Sequence, residues 1–130
     1  ADGRVVVVGG VNPNGQLAST EVYDPGPGSW TASGALATPR ANHTATALPD
    51  GRVMVAGGMS GVSGSVLSST LPSVVLFDVS GGKWTPAKDM GSPRYAHTAS
   101  TLPSGKILVV GGLTESGPVA PSEAFSVDRS

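Results

Sequence analysis

Three short apolar runs recur at wide intervals: Val5–Val8, Val53–Ala56 and Ile107–Val110. Each sits in a common frame, "DGRVVVVGG", "DGRVMVAGG" and "SGKILVVGG". Every position of a run is apolar, so neither face of its pleat is marked for water, and the runs predict strands buried on both sides. Ahead of the second and third runs lie "HTATAL" (43–48) and "HTASTL" (97–102). Their small and β-branched residues predict a strand in a crowded inner position. After the runs come "TEVYD" (20–24), "VVLFD" (74–78) and "EAFSVD" (123–128), and a fourth strand starts at Trp30 and again at Trp84. The connections "LPDG", "LPSG", "DPGPGSW" and "DVSGGKW" are rich in Pro, Gly and Asp and predict tight turns. No segment carries a 3.6-residue apolar period, so the pattern predicts an all-β chain.

The strands fall into repeats. Gly9, Gly57 and Gly111 open three Gly-Gly doublets (Gly9-Gly10, Gly57-Gly58, Gly111-Gly112), 48 and 54 residues apart. Trp30 and Trp84 each follow an aromatic-Asp pair, and Arg40 and Arg94 each follow that Trp by 10. His43 and His97 follow the Arg by 3, and the next doublet follows it by 17. Only the stretch from the second Gly to the Asp changes, being 14, 20 and 16 residues when counted to Asp24, Asp78 and Asp128. Length variation is therefore confined to one loop per repeat.

Four strands in about fifty residues, with a Gly-Gly doublet, an aromatic-Asp and a Trp, point to a β-propeller blade. On these motifs the sequence resembles the kelch family, in particular bacterial kelch repeats and the propellers of galactose-oxidase-like proteins. The resemblance implies a kelch-type β-propeller. With blade strands lettered a to d, residues 1–34 supply b-c-d, 39–88 supply a-b-c-d and 93–130 supply a-b-c. That makes ten strands, about two and a half blades. Ten is not a multiple of four, and a closed ring needs four to eight blades. The remainder of the propeller, from the same chain or from further copies, is expected to cover the open blade edges.

Composition narrows the function. The chain has 130 residues, a net charge of −1 and only 13% charged residues, which leaves no electrostatic footprint for nucleic acid or an anionic membrane. The longest apolar run is far too short to cross a bilayer. No leader is visible in the opening Ala1-Asp2-Gly3, which reads like the inside of a repeat. Cysteine is absent, so this stretch has no disulfide, thiolate nucleophile or Cys-based metal site. The low charge, the Ser/Thr/Gly richness and the resemblance together lead us to expect an extracellular or cell-surface setting.

Antiparallel blade strands put the d–a linkers, with Arg40 and Arg94, on the same face as the variable b–c loops. The longest of these loops covers residues 59–73. Variable loops on a rigid scaffold are where binding concentrates. The candidate binding residues are therefore Arg40, Asn42, His43, Met59, Ser60, Arg94, Tyr95, His97, Leu113, Thr114 and Glu115. Within this set, the periodic Arg and His positions read better as a frame between blades than as a ligand site. The glycine doublets, Trp30 and Trp84 are read as structural, the glycines by permitting positive φ and close backbone approach. No catalytic constellation, metal site or cofactor motif is present.

The galactose-oxidase resemblance implies copper held by an adjacent Tyr-His pair in an Arg-x-Tyr-His segment. Here the segments are "RANH" and "RYAH". Asn42 and Ala96 stand where the ligand Tyr would be, and Tyr95 lies one residue early, pointing to the other face if the segment is a strand. The family's Tyr-Cys crosslink also lacks its Cys. The expected function is a non-catalytic binding module for a protein or glycan. The alternatives are a propeller segment of a copper enzyme whose active-site residues lie outside this chain, and a structural or adhesive surface repeat.

Overall fold

A computed structural model describes residues 3–60 and 69–126. The first blade contains β1 (Val5–Val8), β2 (Val11–Asn12), β3 (Gly15–Gln16), β4 (Thr20–Asp24) and β5 (Ser29–Ala32). The middle blade contains β6 (Thr44–Ala47), β7 (Val53–Ala56), β8 (Met59–Ser60), β9 (Ser69–Thr70), β10 (Val74–Asp78) and β11 (Lys83–Pro86). The last contains β12 (Thr98–Thr101), β13 (Ile107–Val110), β14 (Leu113–Thr114), β15 (Gly117–Pro118) and β16 (Glu123–Phe125). The blade sheets run β1-β4-β5, β11-β10-β7-β6 and β12-β13-β16, all antiparallel. These are the ten expected strands in the expected order, and they form part of a β-propeller.

Six further strands pair as β2-β3, β8-β9 and β14-β15, one small hairpin in every b–c connection. Arms of two residues are too short to show a period, so the sequence reads them as loops.

Register corrects one alignment. Val5 pairs with Tyr23, Val53 with Phe77 and Ile107 with Phe125. Phe125 thus fills the slot of Phe77, and Ser126, not Asp128, follows it as Asp78 follows Phe77. The last b–c connection is then 14 residues long, as in the first blade, and the middle blade alone carries the longer one. Residues 127–128 of the expected strand lie outside the described residues, as do residues 61–68 of the long loop.

Side chains of β7 alternate between two interfaces, as a strand's period of two requires. Val53 and Val55 face the first blade, where Val8, Leu36 and Val55 form a buried cluster with Val6, Val75 and Trp84 around it. Met54 and Ala56 face the last blade, packing with Val74, Leu76 and Met90 against Ile107, Val109 and Phe125. Cross-strand aromatic pairs stiffen the outer half of two blades, Tyr23 on Trp30 at 5.0 Å and Phe77 on Trp84 at 4.7 Å between ring centroids. In the first blade, only one face of the apolar run is covered. Val8 is buried, whereas Val5 is 50% and Val7 47% exposed. This departs from the expected two-sided burial because no blade lies on that side among the described residues.

The doublets show what the glycines are for. Gly10 and Gly58 have φ of 105° and 101°. A Cβ at Gly58 would lie 2.7 Å from the Ala41 carbonyl oxygen, whereas one at Gly10 would meet nothing within 4 Å. The two positions share backbone strain and differ only in crowding. We expect Gly10→Ala to cost about 1–2 kcal/mol from positive φ alone. Gly58→Ala should cost about 1–3 kcal/mol more from the clash. Urea denaturation of the two variants would check this, and equal costs would refute the close-approach explanation.

Candidate functional site

The two d–a linkers run from the outer strand of one blade to the inner strand of the next. Their backbone is held by the blade they leave. Arg40 N–H donates to the Leu17 carbonyl at 3.0 Å, and the Arg40 carbonyl accepts from Gly10 N–H at 2.9 Å. Arg94 repeats this with Leu71 and Gly58. The side chains reach into the blade ahead. Arg40 Nη1 donates to the Gly57 carbonyl at 3.0 Å and the Ser73 carbonyl at 3.3 Å, while Nη2 donates to Ser73 Oγ at 2.9 Å. Arg94 Nη1 donates to the Gly111 carbonyl at 3.0 Å, and its Nη2 pairs with Glu123 at 3.0 Å. Both arginines are buried, at 2% and 0% exposure. Burial lowers the Arg40 pKa, yet an arginine stays charged, so the carbonyl cradle is what offsets its desolvation.

The histidines sit one residue before the inner strands. The His43 ring lies against Gly9 and the His97 ring against Gly57, each on the preceding blade. His97 Nε2 and Thr44 Oγ1 share a hydrogen bond at 2.9 Å. Burial pushes the His97 pKa down to about 4, helped by the charges of Arg94 and His43 and opposed by the Ala56 carbonyl. Burial lowers His43 as well. Between Arg and His, Asn42 and Ala96 adopt φ of 58° and 56°, and Ala96 N–H donates to the Asn42 carbonyl across blades at 2.8 Å. This left-handed kink corrects the strand picture of "RYAH": the segment turns at Ala96, and β12 begins only at Thr98.

Above this frame lie the other candidates. Ala41 and Met59 exchange backbone hydrogen bonds at 3.0 and 2.8 Å, as do Tyr95 and Leu113 at 3.0 and 2.9 Å, so each linker carries its blade's hairpin. Asn42 Nδ2 approaches Met59 Sδ at 3.8 Å. Ser60 pairs with Ser69 at the root of the long loop. Thr114 Oγ1 accepts from Ser116 N–H at 3.1 Å and closes the β14–β15 turn. Glu115 crosses to the middle blade, where its carboxylate accepts the Thr70 N–H at 2.6 Å. Its own backbone N–H and Thr70 hold that carboxyl below the usual range.

The structure thus brings Asn42, Met59, Ser60, Tyr95, Leu113, Thr114 and Glu115 to one face and puts Arg40, His43, Arg94 and His97 in the frame beneath. One residue on that face escaped the sequence reading. Val11, 59% exposed, follows Gly10 as Met59 follows Gly58 and Leu113 follows Gly112. The doublet spacing alone identifies it. Leu113 is 39% exposed. A cleft of about 460 Å³ lies among the a–b turns of the opposite face, and one of about 500 Å³ lies between β1 and β6 beside the a–b and c–d turns of the middle blade. Among the described residues, no group of three or more His, Cys, Asp or Glu is placed to hold a metal.

Antiparallel blades packed face to face and joined by linker arginines make this chain part of a β-propeller. The family model of the kelch motif matches residues 1–33 and 39–91, and the chain belongs to this family. It is similar to alpha-scruin of Limulus polyphemus, 31% identical over 130 residues, which are 97% of this chain and 14% of that protein. It is also similar to Kelch-like protein 34 of Homo sapiens, 37% identical over 102 residues, 76% of this chain and 15% of that one. Beta-scruin of Limulus polyphemus is 28% identical over 130 residues, 97% and 14% of the two chains. The chain therefore spans about a seventh of the length of these relatives.

Two stability tests follow from the frame. Arg40→Ala removes a charged donor from two backbone carbonyls and a hydroxyl, and should cost about 3–5 kcal/mol in urea unfolding. Arg40→Lys should recover little, because a single ammonium cannot span Gly57 and Ser73 as the fork does. His97 has a folded pKa below its unfolded value of 6.5, so its contribution is complete above pH 6.5 and is lost as pH falls towards about 4. The loss should approach about 3 kcal/mol. His97→Gln should flatten the stability-against-pH curve across that window, and an unchanged slope would contradict the assignment.

Proposed function

We propose that this chain is a non-catalytic, protein-binding part of a propeller, and that the hairpin face is its docking surface. Kelch repeats in general mediate protein–protein interaction. The observation that carries the reading here is the row of exposed or half-buried apolar residues, Val11, Met59 and Leu113, one per blade at the same register. Each stands at the root of its blade's hairpin, Met59 and Leu113 are bonded to rigid linkers, and all the variation in loop length follows these positions. Adjacent apolar side chains presented on a fixed frame suit an apolar protein surface. The Glu115–Thr70 bond joins two of these hairpins into one platform. In this reading the rest of a closed ring comes from further repeats.

The test compares affinity capture by the wild-type chain, by a Val11→Ser/Met59→Ser/Leu113→Ser variant, and by a Lys106→Ser control on the opposite face. We expect a protein retained by the wild type and the control to be lost by at least tenfold with the triple variant. Equal capture by all three removes the hairpin face as the docking surface. Retention on a glycan array that the triple variant abolishes would replace the protein partner with a carbohydrate.

A further inference from the structure

The hairpin roots share a backbone and differ in chemistry. Val11, Met59 and Leu113 each follow a Gly-Gly doublet. Met59 and Leu113 exchange the same pair of backbone hydrogen bonds, one with Ala41 and the other with Tyr95. A leucine therefore meets every demand of this position, and the frame does not ask for sulfur. The linker residue at the left-handed kink varies in step. It is Asn42, at φ 58°, in the blade of Met59 and Ala96, at φ 56°, in the blade of Leu113. An alanine holds that kink, so the frame does not ask for an amide either. Yet the two side chains that the frame leaves open meet each other, with Asn42 Nδ2 donating to Met59 Sδ at 3.8 Å.

Met59 also stands apart from the chain's other methionines. Met54 and Met90 are 0% and 5% exposed and are packed in the apolar cluster between the middle and last blades. Met59 is half-buried and lies on the hairpin face. The chain has three methionines and no cysteine. A hydroperoxide that reaches this protein therefore meets one accessible thioether, with no thiol to compete for it. A thioether sulfur accepts a hydrogen bond only weakly. A sulfoxide presents a polar oxygen in its place. The Asn42 N–H thus holds the reduced side chain loosely and already stands where the oxidised one needs a donor. Val11 and Leu113, at the same register, offer a peroxide no chemistry.

We propose that Met59 is a redox-controlled position of the docking face, oxidised reversibly to its sulfoxide by a hydroperoxide and received in that form by Asn42. The Met59 sulfur attacks the terminal, protonated oxygen of the peroxide. An S–O bond forms and the O–O bond breaks. The proton of the transferred oxygen passes to the leaving group, which departs as an alcohol, or as water from hydrogen peroxide. Sulfur loses two electrons and the peroxide gains them. A thiol-dependent methionine sulfoxide reductase reverses the step, two thiols becoming a disulfide and the oxygen leaving as water. The sulfoxide places a polar oxygen in the middle member of the row Val11, Met59 and Leu113. The bond to Asn42 turns that oxygen towards the linker. A partner covering the row has to strip water from it, so oxidation weakens docking. This consequence rests on the proposed function, whereas the oxidation of Met59 and its bond to Asn42 do not.

Hydrogen peroxide, added to the 130-residue chain and then removed, is the probe. Peptide mass mapping should find Met59 oxidised about tenfold faster than Met54 or Met90. The Nδ2 protons of Asn42, assigned in the NMR spectrum by their loss in Asn42→Ala, should shift and exchange more slowly with solvent once Met59 is oxidised. The reductase with a dithiol should restore the original spectrum. The oxidised chain, still folded by circular dichroism, should retain a captured protein about tenfold less well than the reduced chain, because an apolar head is lost from the contact. In Met59→Leu, capture before and after peroxide should be equal. Equal oxidation of the three methionines, an unmoved Asn42 amide, or capture by the wild type that survives oxidation of Met59 overturns the proposal. The first two are read with no partner present, so they fail independently of the docking surface. Equal capture by the reduced wild type and the triple serine variant instead removes the docking surface, and with it the control of docking by oxidation.

Discussion

A buried guanidinium has to be surrounded by acceptors, and in this molecule that requirement fixes how one blade sits on the next. Taking an arginine head out of water is costly, and only a set of well-aimed oxygens offsets the cost. For Arg40 and Arg94 those oxygens come from the blade ahead, at the end of its second strand and the start of its third. The arginine backbone, meanwhile, is hydrogen-bonded to the blade behind. One residue therefore belongs to two blades, and neither can shift without stranding a charge or a carbonyl. Hydrophobic contact between blades is non-directional and would tolerate sliding. The guanidinium fork supplies the register that apolar packing lacks.

The other periodic features follow from that bolt. For the Arg40 carbonyl to reach Gly10 N–H at 2.9 Å, the linker must lie almost on the doublet, which leaves no room for a side chain at the neighbouring Gly9. The histidine ring then fills the space beside the glycine and bonds Thr44 in the case of His97. For His97 the neutral form is the one that fits, because the ring is buried and, secondly, within reach of the charge of Arg94. Arg, His and Gly-Gly are thus parts of a single contact repeated at each junction. Stability in such an array is carried by nearest-neighbour interfaces, so loss of one bolt loosens two blades.

Most of the scaffold was legible in the sequence. Apolar runs, turn residues and fixed spacings placed all ten blade strands and set the Arg/His pair apart from the variable loops. The signal weakened where structure ceased to be periodic. Hairpin arms of two residues have no period to read. Asp128 drew the third strand out of register because an Asp after an apolar run is a weaker marker than the pairing of Phe125 with Ile107. The kink at Asn42 and Ala96 was hidden because neither residue is glycine, and positive φ is uncommon elsewhere. Val11 gains meaning only by comparison with Met59 and Leu113, which follow the other two doublets as it follows Gly10.

The long loop of the middle blade tests how far such a frame tolerates insertion. Its connection is six residues longer than those of its neighbours, yet strand pairing resumes in step. Leu71 N–H reaches the Gly58 carbonyl at 2.8 Å, just as Leu17 reaches Gly10 and Val119 reaches Gly112. Closing a longer loop adds little entropy cost, because that cost grows only with the logarithm of length. The harder demand is to stop the extra residues from slipping the returning strand, since a shift of one residue would turn Val74 and Leu76 out of the core. Two contacts meet that demand at the root of the loop. The β8–β9 pair sets the register, and Glu115 holds the Thr70 N–H from the adjacent blade one residue before Leu71. Hydrogen bonds from its own backbone and from Thr70 hold the Glu115 carboxyl below its usual range, so it is ionised near neutrality. Pro13 occupies the matching position in the first blade, where it has no side-chain acceptor to offer a neighbouring hairpin. The tie therefore lies at the root of the inserted loop, where it joins the returning arm to the hairpin of the next blade and keeps the sheet below in step.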